Sequence, residues 1–400
     1  MAALKYWLWL SQLSGVSNQV KLALLNHFNG EPDSIYHGDK AEYMLAEGMT
    51  GSAAEALENK SLSAAERVLE DCGRMGLRIM TIRDGEYPYR LRNIYNPPLL
   101  LYAQGRVPQL DNEVVIAMVG SRSLSAYGME MGEKLAYQLA SRGAVVVSGL
   151  AAGGDACAHR GALRADGFTV AVIGGGHDIV YPSENRLLYE DIAVRGLILS
   201  EYPPGTGHKG SHFPVRNRII SGLSLATVVI EAPLSSGTLI TAGHALDQGR
   251  DVFAIPGRMD DWHCVGSNRL LRDGAGVVTD VWDILCHYVR QYPHKIREVR
   301  QEGARQFGGG AEVRKAPPKA KPKPEPKLPE LDLSQDHGMS EDQIQVLRAL
   351  QSRSMQMDDI IDQTQLPAQR VSSALTMLEI DQRVTAESGK RFCLAVTLKN

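Results

Sequence analysis

The chain has 400 residues, 44% of them hydrophobic and 22% charged, which is enough for two or three cores and too apolar for disorder throughout. Forty-three Lys and Arg stand against 46 Asp and Glu, a net charge of −3, so no global positive field draws it to a polyanion and any such site is local. The cysteines, Cys72, Cys157, Cys264, Cys286 and Cys393, are scattered singly without a CxxC pair, which argues against a disulfide scaffold or zinc module and fits a reducing cytoplasm.

The opening stretch MAALKYWLWLSQLSG is interrupted by Ser11 and Gln12 and followed by no small-residue cleavage site, so it reads as a buried first helix. No segment approaches the roughly 18 apolar residues of a membrane span, and a cytoplasmic protein is expected. Residues 1–75 are helical by the spacing of Val20, Leu22, Leu24, Leu25 and Phe28. A Leu-Ser-Gly-Val-Ser turn at 13–17 suggests a helix-hairpin-helix (SAM-like) element, whose amides can hold phosphate; a packing domain without ligand fits equally well. Residues 76–112 read as a connecting segment.

From 113 to 290 the pattern changes to apolar runs alternating with helical segments, the mark of a parallel sheet covered on both faces and hence of an α/β domain. The runs are EVVIAMV, AVVVS, FTVAVI, GLILS, LATVVIEA and DVFAI. Turns rich in Gly, Ser and Pro follow them: Gly120-Ser121-Arg122-Ser123, Ser148-Gly149, Gly174-Gly175-Gly176, EYPPGTG, and Ser236-Gly237-Thr238. These lie at the carboxyl ends of strands, where open parallel sheets bind ligands, and converging amides there suit phosphate. None spells GxGxxG or GxxxxGK[ST], so dinucleotide and nucleoside-triphosphate readings lose their support.

The segment HKGSHFPVRNRIISG adds cations, Lys209, Arg216 and Arg218, around an aromatic ring, Phe213. Guanidinium groups grip phosphates and a ring stacks bases with little sequence preference, a combination suited to single-stranded nucleic acid. The structural alternative has Phe213 plugging the core and Arg216 paired with a carboxylate such as Glu231. His208 and His212, or His263-Cys264, lack a third ligand at metal-site spacing, so no metal or other cofactor is expected. Ser148, Ser236 and Asp155 show no nucleophile elbow, and no catalytic constellation is evident.

Residues 303–337 carry Gly308, Gly309 and Gly310 and then six prolines between Pro317 and Pro329. This is a polyproline-like linker reaching about 40 Å; its Lys319, Lys321, Lys323 and Lys327 read as solvating groups. Residues 338–400 hold helical patterns at 341–351, 357–364 and 367–380 and a hairpin around Ser388-Gly389, together a winged helix. The last helix offers Gln369, Arg370, Ser372 and Ser373, yet the domain carries seven positive and eight negative groups. Without a basic footprint, protein contact is expected of it ahead of duplex DNA.

VGSRSLSAYG, SGLAAGGDACAHRGAL, VIGGGHDIVYPSENRLL, LSEYPPGTG, FPVRNRIISGLS and SGTLITAGHALDQGRDVFAIPG, in that order over 113–280, closely resemble the DNA-processing protein family DprA, also called Smf. The resemblance implies an extended Rossmann-like domain that binds single-stranded DNA, forms a homodimer and loads the RecA recombinase during natural transformation, without covalent chemistry. By motif it implies Arg122 as principal phosphate ligand with Gly120, Ser121, Ser148 and Gly149 beside it. Lys209 and Phe213 would be basic and aromatic contacts, and Arg216, Asn217, Arg218, Ser236, Gly237 and Thr238, with Gly174 and Gly175, would complete the pocket. Many members have Gly-Ile-Asp where this chain has Gly153-Gly154-Asp155, a loss of packing that puts the local turn in question. The competing enzyme reading is a nucleotide phosphoribohydrolase on a related fold, which places a glutamate where this chain has Thr241.

Overall fold

All six apolar runs form strands in a computed structural model, which describes residues 3–297, 330–332, 339–352, 354–381, 383–387 and 391–399. The chain divides into two compact units, Met1–Ala304 and Arg305–Asn400.

The first unit begins with six helices, α1 (Leu4–Gln12), α2 (Asn18–His27), α3 (Pro32–His37), α4 (Lys40–Tyr43), α5 (Gly51–Leu57) and α6 (Ser63–Met75). The apolar opening is buried as expected, with Trp7, Leu8, Trp9 and Leu10 inside. At the 13–17 turn Ser17 caps α2 by accepting from the Val20 amide, and buried Lys21 donates to the Ser11 carbonyl at 2.7 Å.

The segment read as a connector, 76–112, supplies β1 (Arg78–Thr81), α7 (Tyr89–Arg92) and β2 (Leu100–Gly105). The rest of the unit is β3 (Val115–Val119), α8 (Ala126–Ser141), β4 (Val145–Ser148), α9 (Gly154–Arg164), β5 (Thr169–Ile173), α10 (Arg186–Arg195), β6 (Leu197–Ser200), α11 (His212–Leu223), β7 (Ala226–Val229), α12 (Thr238–Asp247), β8 (Asp251–Ala254), α13 (Val265–Arg272), β9 (Gly276–Val277) and α14 (Trp282–Leu285). One sheet runs β1-β2-β6-β5-β4-β3-β7-β8-β9. From β6 to β9 every pairing is parallel, while β2 pairs β6 and β1 pairs β2 antiparallel.

Alternation along β3 shows why runs of Val and Ile are needed. Val115, Ala117 and Val119 face a core that also takes in α11, α12 and the N-terminal helices, whereas Val114, Ile116 and Met118 face α8 and the 281–292 segment. The N-terminal helices thus share a core with the sheet. The chain passes from β3 outward through β4, β5 and β6, then returns to lay β7 against β3. This reversal opens a crevice beyond the carboxyl ends of β3 and β7.

In the second unit, α15 (Glu341–Ala349), α16 (Met357–Thr364) and α17 (Ala368–Ile380) follow the three helical patterns within two residues. They enclose Val346, Leu347, Ile360, Val371, Leu375 and Leu378. Strand β10 (Glu330–Asp332) pairs in parallel with β14 (Thr397–Lys399), and β11 (Met355–Gln356), β12 (Val384–Glu387) and β13 (Arg391–Leu394) form the wing sheet. The Ser388-Gly389 turn and the linker, apart from Glu330–Asp332, lie outside the described residues. Arg370 of α17 is bound to Asp342 through both ends of its guanidinium, so that charge is already committed.

Candidate nucleic-acid interface

A cleft of about 720 Å³ occupies the crevice. The turn after β3 supplies Gly120, Ser121, Arg122 and Ser123; the turn after β7 supplies Ser236, Gly237 and Thr238; and α11 supplies Phe213, Arg216 and Asn217. Of the fifteen predicted residues, nine line it, all of these except Ser123, which the prediction did not include. The other six, Ser148, Gly149, Gly174, Gly175, Lys209 and Arg218, do not line it and have other local roles.

The two basic residues of the Arg-Asn-Arg motif lie at different depths. Arg216 is 3% exposed and donates through Nη1 to the carbonyls of Gly149, at 2.6 Å, and Val172. Burial pulls its guanidinium down to about 10, opposed by the Asp155 carboxylate. Asp155 is buried too, and its pKa is raised by that burial against the pull of Arg216 and the Ala151 amide. A Cβ at Gly149 would come within 2.5 Å of Arg216 Nη1 and 2.6 Å of Asp155 Oδ2, so this glycine makes room for the pair. Arg216 therefore faces Asp155; Glu231 instead accepts from the Ser125 amide and hydroxyl at 2.9 and 2.6 Å.

Arg218 turns away from the cleft. It binds Glu201 bidentately at 2.7 and 2.9 Å and donates from Nε to the Asn96 carbonyl. Asn18 of α2 bonds the same loop at Asn96 Oδ1 and Pro97 O, which ties the N-terminal helices to α11. Ser148 is buried and donates to Met118 O.

The other two cations are exposed. Arg122 and Lys209 form no ion pair among the described residues, and the Arg122 guanidinium lies 5.0 Å from the Phe213 ring centroid. Lys209 sits between His208 and Gly210, both in the cleft wall. Phe213 is half-buried and belongs to a cluster in which His208 stacks on Tyr181 at 5.3 Å and on Phe213 at 6.2 Å. Gly174 and Gly175 are the seat of this cluster: a Cβ would meet the Phe213 ring at 3.4 Å and the His208 ring at 2.9 Å, respectively. His208 Nε2 donates to Ile179 O and His212 Nδ1 to Gly174 O. Burial lowers the His208 pKa.

Several amides of the predicted phosphate turns already have partners. Ser121 N donates to Glu231 O, Ser123 N to Ser121 Oγ, and Thr238 N to Ser236 Oγ. The turn at 120–123 thus presents the Arg122 side chain more than an open ring of N–H groups. Gly153 has φ +72°, and a Cβ at Gly154 would overlap the Gly120 backbone. In this arrangement glycine at 154 is what lets the two turns touch, with Gly154 N donating to Ser121 O at 3.0 Å.

Tyr181 and Trp262 also line the cleft and were not singled out from sequence. Both come from loops remote from the 208–222 segment. Thr241 is a buried lining residue, and among the lining residues Asp155 is the one carboxylate. No group of three His, Cys, Asp or Glu in metal-holding geometry occurs among the described residues, and no described helix is long and apolar enough to cross a membrane.

The family model of DNA recombination-mediator protein A matches residues 78–289, and that of the DprA winged helix domain matches 317–390. Protein Smf of Synechocystis is 34% identical over 97% of this chain and 98% of its own. The chain belongs to the DprA/Smf family. The DNA processing protein DprA of Bacillus subtilis is 41% identical over 54% of this chain and 73% of its own. The crystal structure of DprA from Streptococcus pneumoniae superposes with a TM-score of 0.63 at 35% identity, covering 70% of this chain and 97% of that one. The DprA family domain begins at β1 and so includes the two antiparallel strands.

Proposed function

We propose that the cleft binds single-stranded DNA and that the protein presents the bound strand to the RecA recombinase during DNA uptake, acting as a homodimer without covalent chemistry. The observation that carries the DNA reading is the exposed, unpaired Arg122 guanidinium placed over Phe213 at the switch point of the sheet. A phosphate-binding group and a stacking surface are there joined in one cleft, the two elements that sequence-tolerant single-strand binding requires. Lys209 adds a second free charge at the rim. The net charge of the central domain, 14 positive against 18 negative groups over 113–285, favours a strand threaded through a focused site over the flank of a duplex.

Within this reading Arg122, Lys209 and Phe213 contact the strand; Ser121, Asn217, Ser236, Gly237 and Thr238 line its path; and Arg216, Asp155 and Gly149 support the floor. The proposed domain division is 1–75, 113–290 and 338–400, with the 76–112 segment added to the central domain because β1 and β2 extend its sheet, and with the winged helix contacting protein. Gel-shift titration with poly-dT tests the core of it: Arg122→Ala is expected to bind at least tenfold more weakly, and binding as tight as the parent's would overturn the assignment. Release of base from nucleoside monophosphates above background would replace the binding reading with the hydrolase one. A RecA pull-down with and without single-stranded DNA, together with sedimentation, tests the partner and the dimer.

A further inference from the structure

The two ends of the cleft carry different aromatic groups. At one end, beyond β5, lies the Tyr181, His208 and Phe213 cluster; at the other, in the loop after β8, lies Trp262. In the sheet order β5-β4-β3-β7-β8 the strands that carry the Tyr181 and Trp262 loops, β5 and β8, stand four strand spacings apart. At about 4.8 Å each this is about 19 Å, with Arg122 projecting from the turn after β3 in between.

The loop bearing Trp262 is tied down. Asp261 Oδ1 accepts from the His263 amide at 2.9 Å and lies 2.7 Å from His263 Nδ1. Asn268 bonds both the amide and the carbonyl of Gly257, and Gly257 leaves room for the buried Cys264 side chain. The indole lies against the His263 ring at 3.9 Å, yet the residue is 59% exposed and lines the cleft beside Ile240. An exposed indole on a fixed loop is a surface that loses little freedom when something stacks on it.

We propose that Trp262 is a second base-stacking platform, so that the cleft holds a single strand at two separated points, one at each end. This rests on the single-stranded DNA reading of the cleft. The cluster at Phe213 and the indole at Trp262 then engage bases several nucleotides apart, with Arg122 and Lys209 on the phosphates. Short strands reach one platform and long strands reach both, so the contribution of Trp262 depends on strand length.

The test uses the full-length protein and labelled oligo-dT of graded length, followed by fluorescence anisotropy. Trp262→Ala is expected to weaken binding of long oligomers about tenfold, a typical stacking loss, and to leave the shortest bound oligomers unchanged; Trp262→Phe is expected to recover most of the loss. Trp7 and Trp9 are buried and Trp282 is half-buried, so acrylamide-quenchable emission comes chiefly from Trp262, and saturating oligo-dT is expected to shield it. If Trp262→Ala binds every length like the parent while Arg122→Ala and Phe213→Ala weaken all lengths, the second platform is refuted and the DNA site stands. If all three variants bind like the parent, the DNA reading itself fails. A Trp262→Ala variant with unchanged DNA affinity but altered sedimentation would assign the indole to a protein contact and overturn the proposal.

Discussion

The Arg122 guanidinium rests over the face of Phe213, 5.0 Å from its centroid, although the two residues come from the turn after β3 and the start of α11. In the proposed DNA reading the ring holds the cation where a phosphate would meet it. Removing either side chain therefore disturbs both the charge and the stacking surface. A double-mutant cycle with Arg122→Ala and Phe213→Ala, read by poly-dT affinity, is expected to give a coupling of about 1 kcal/mol. Additive losses would show that the two act separately.

The buried arginines predict a different signature. Arg218→Ala leaves Glu201 without its bidentate partner and is expected to lower unfolding stability by about 3 kcal/mol, as when one half of a buried pair is removed. Replacing Glu201 and Arg218 together by Leu should recover much of the loss, as urea titration would show. Neither change should alter the salt dependence of DNA binding, since Arg218 lies off the cleft.

Gly154 offers a test of how the turns meet. A Cβ there overlaps the Gly120 backbone, so Gly154→Ile has to push the 120–123 turn away from α9. Weaker poly-dT binding with a lower melting temperature is expected, and the milder Gly154→Ala should show the same trend. A Gly154→Ile protein with parental affinity would show that the turn position does not matter for binding.

Two buried imidazoles give a pH dependence with a definite sign. Burial pulls His177 down to about 4 and His159 to about 3, from the usual 6.5. His177 donates from Nε2 to the Tyr102 carbonyl, and its Nδ1 lies 3.2 Å from the Tyr189 hydroxyl. Below pH 6.5 the unfolded chain takes up protons that the folded chain refuses, so stability is full above 6.5 and falls as the pH drops toward 4. His177 alone accounts for about 3 kcal/mol of that loss. Urea midpoints measured between pH 7 and 4 should fall, and His177→Gln should flatten the curve.

How far the sequence could be read depends on whether a residue's role is local. Val and Ile runs declare buried strands because neighbouring residues face opposite sides of one sheet, and all six appeared. Strands β1 and β2 did not declare themselves; RIMT is only four residues long, and β2 takes its place in the sheet through its pairings with β1 and β6. At the site, Arg122, Lys209 and Phe213 were legible as types of group, the first two in turns and Phe213 at the start of α11. What separates Arg216 and Arg218 from Arg122 is burial, set by Gly149, Asp155, Glu201 and Asn96 from elsewhere in the chain. Gly174 and Gly175 read as phosphate turns, but they are flat seats for rings brought by α11 and the loop before it. Trp262 carries no local signal at all; only the sheet order places it at the cleft.

In the proposed DNA reading Arg122 supplies a phosphate contact while Arg216 supports the floor. This division of roles is tested most directly by the slope of log affinity for poly-dT against log salt concentration. For a single strand each lost phosphate contact reduces the slope by about 0.7. Arg122→Ala is expected to show that reduction along with weaker binding, whereas Arg216→Lys should weaken binding with the parental slope. An unchanged slope in Arg122→Ala, or a slope lowered by Arg216→Lys instead, would contradict this account.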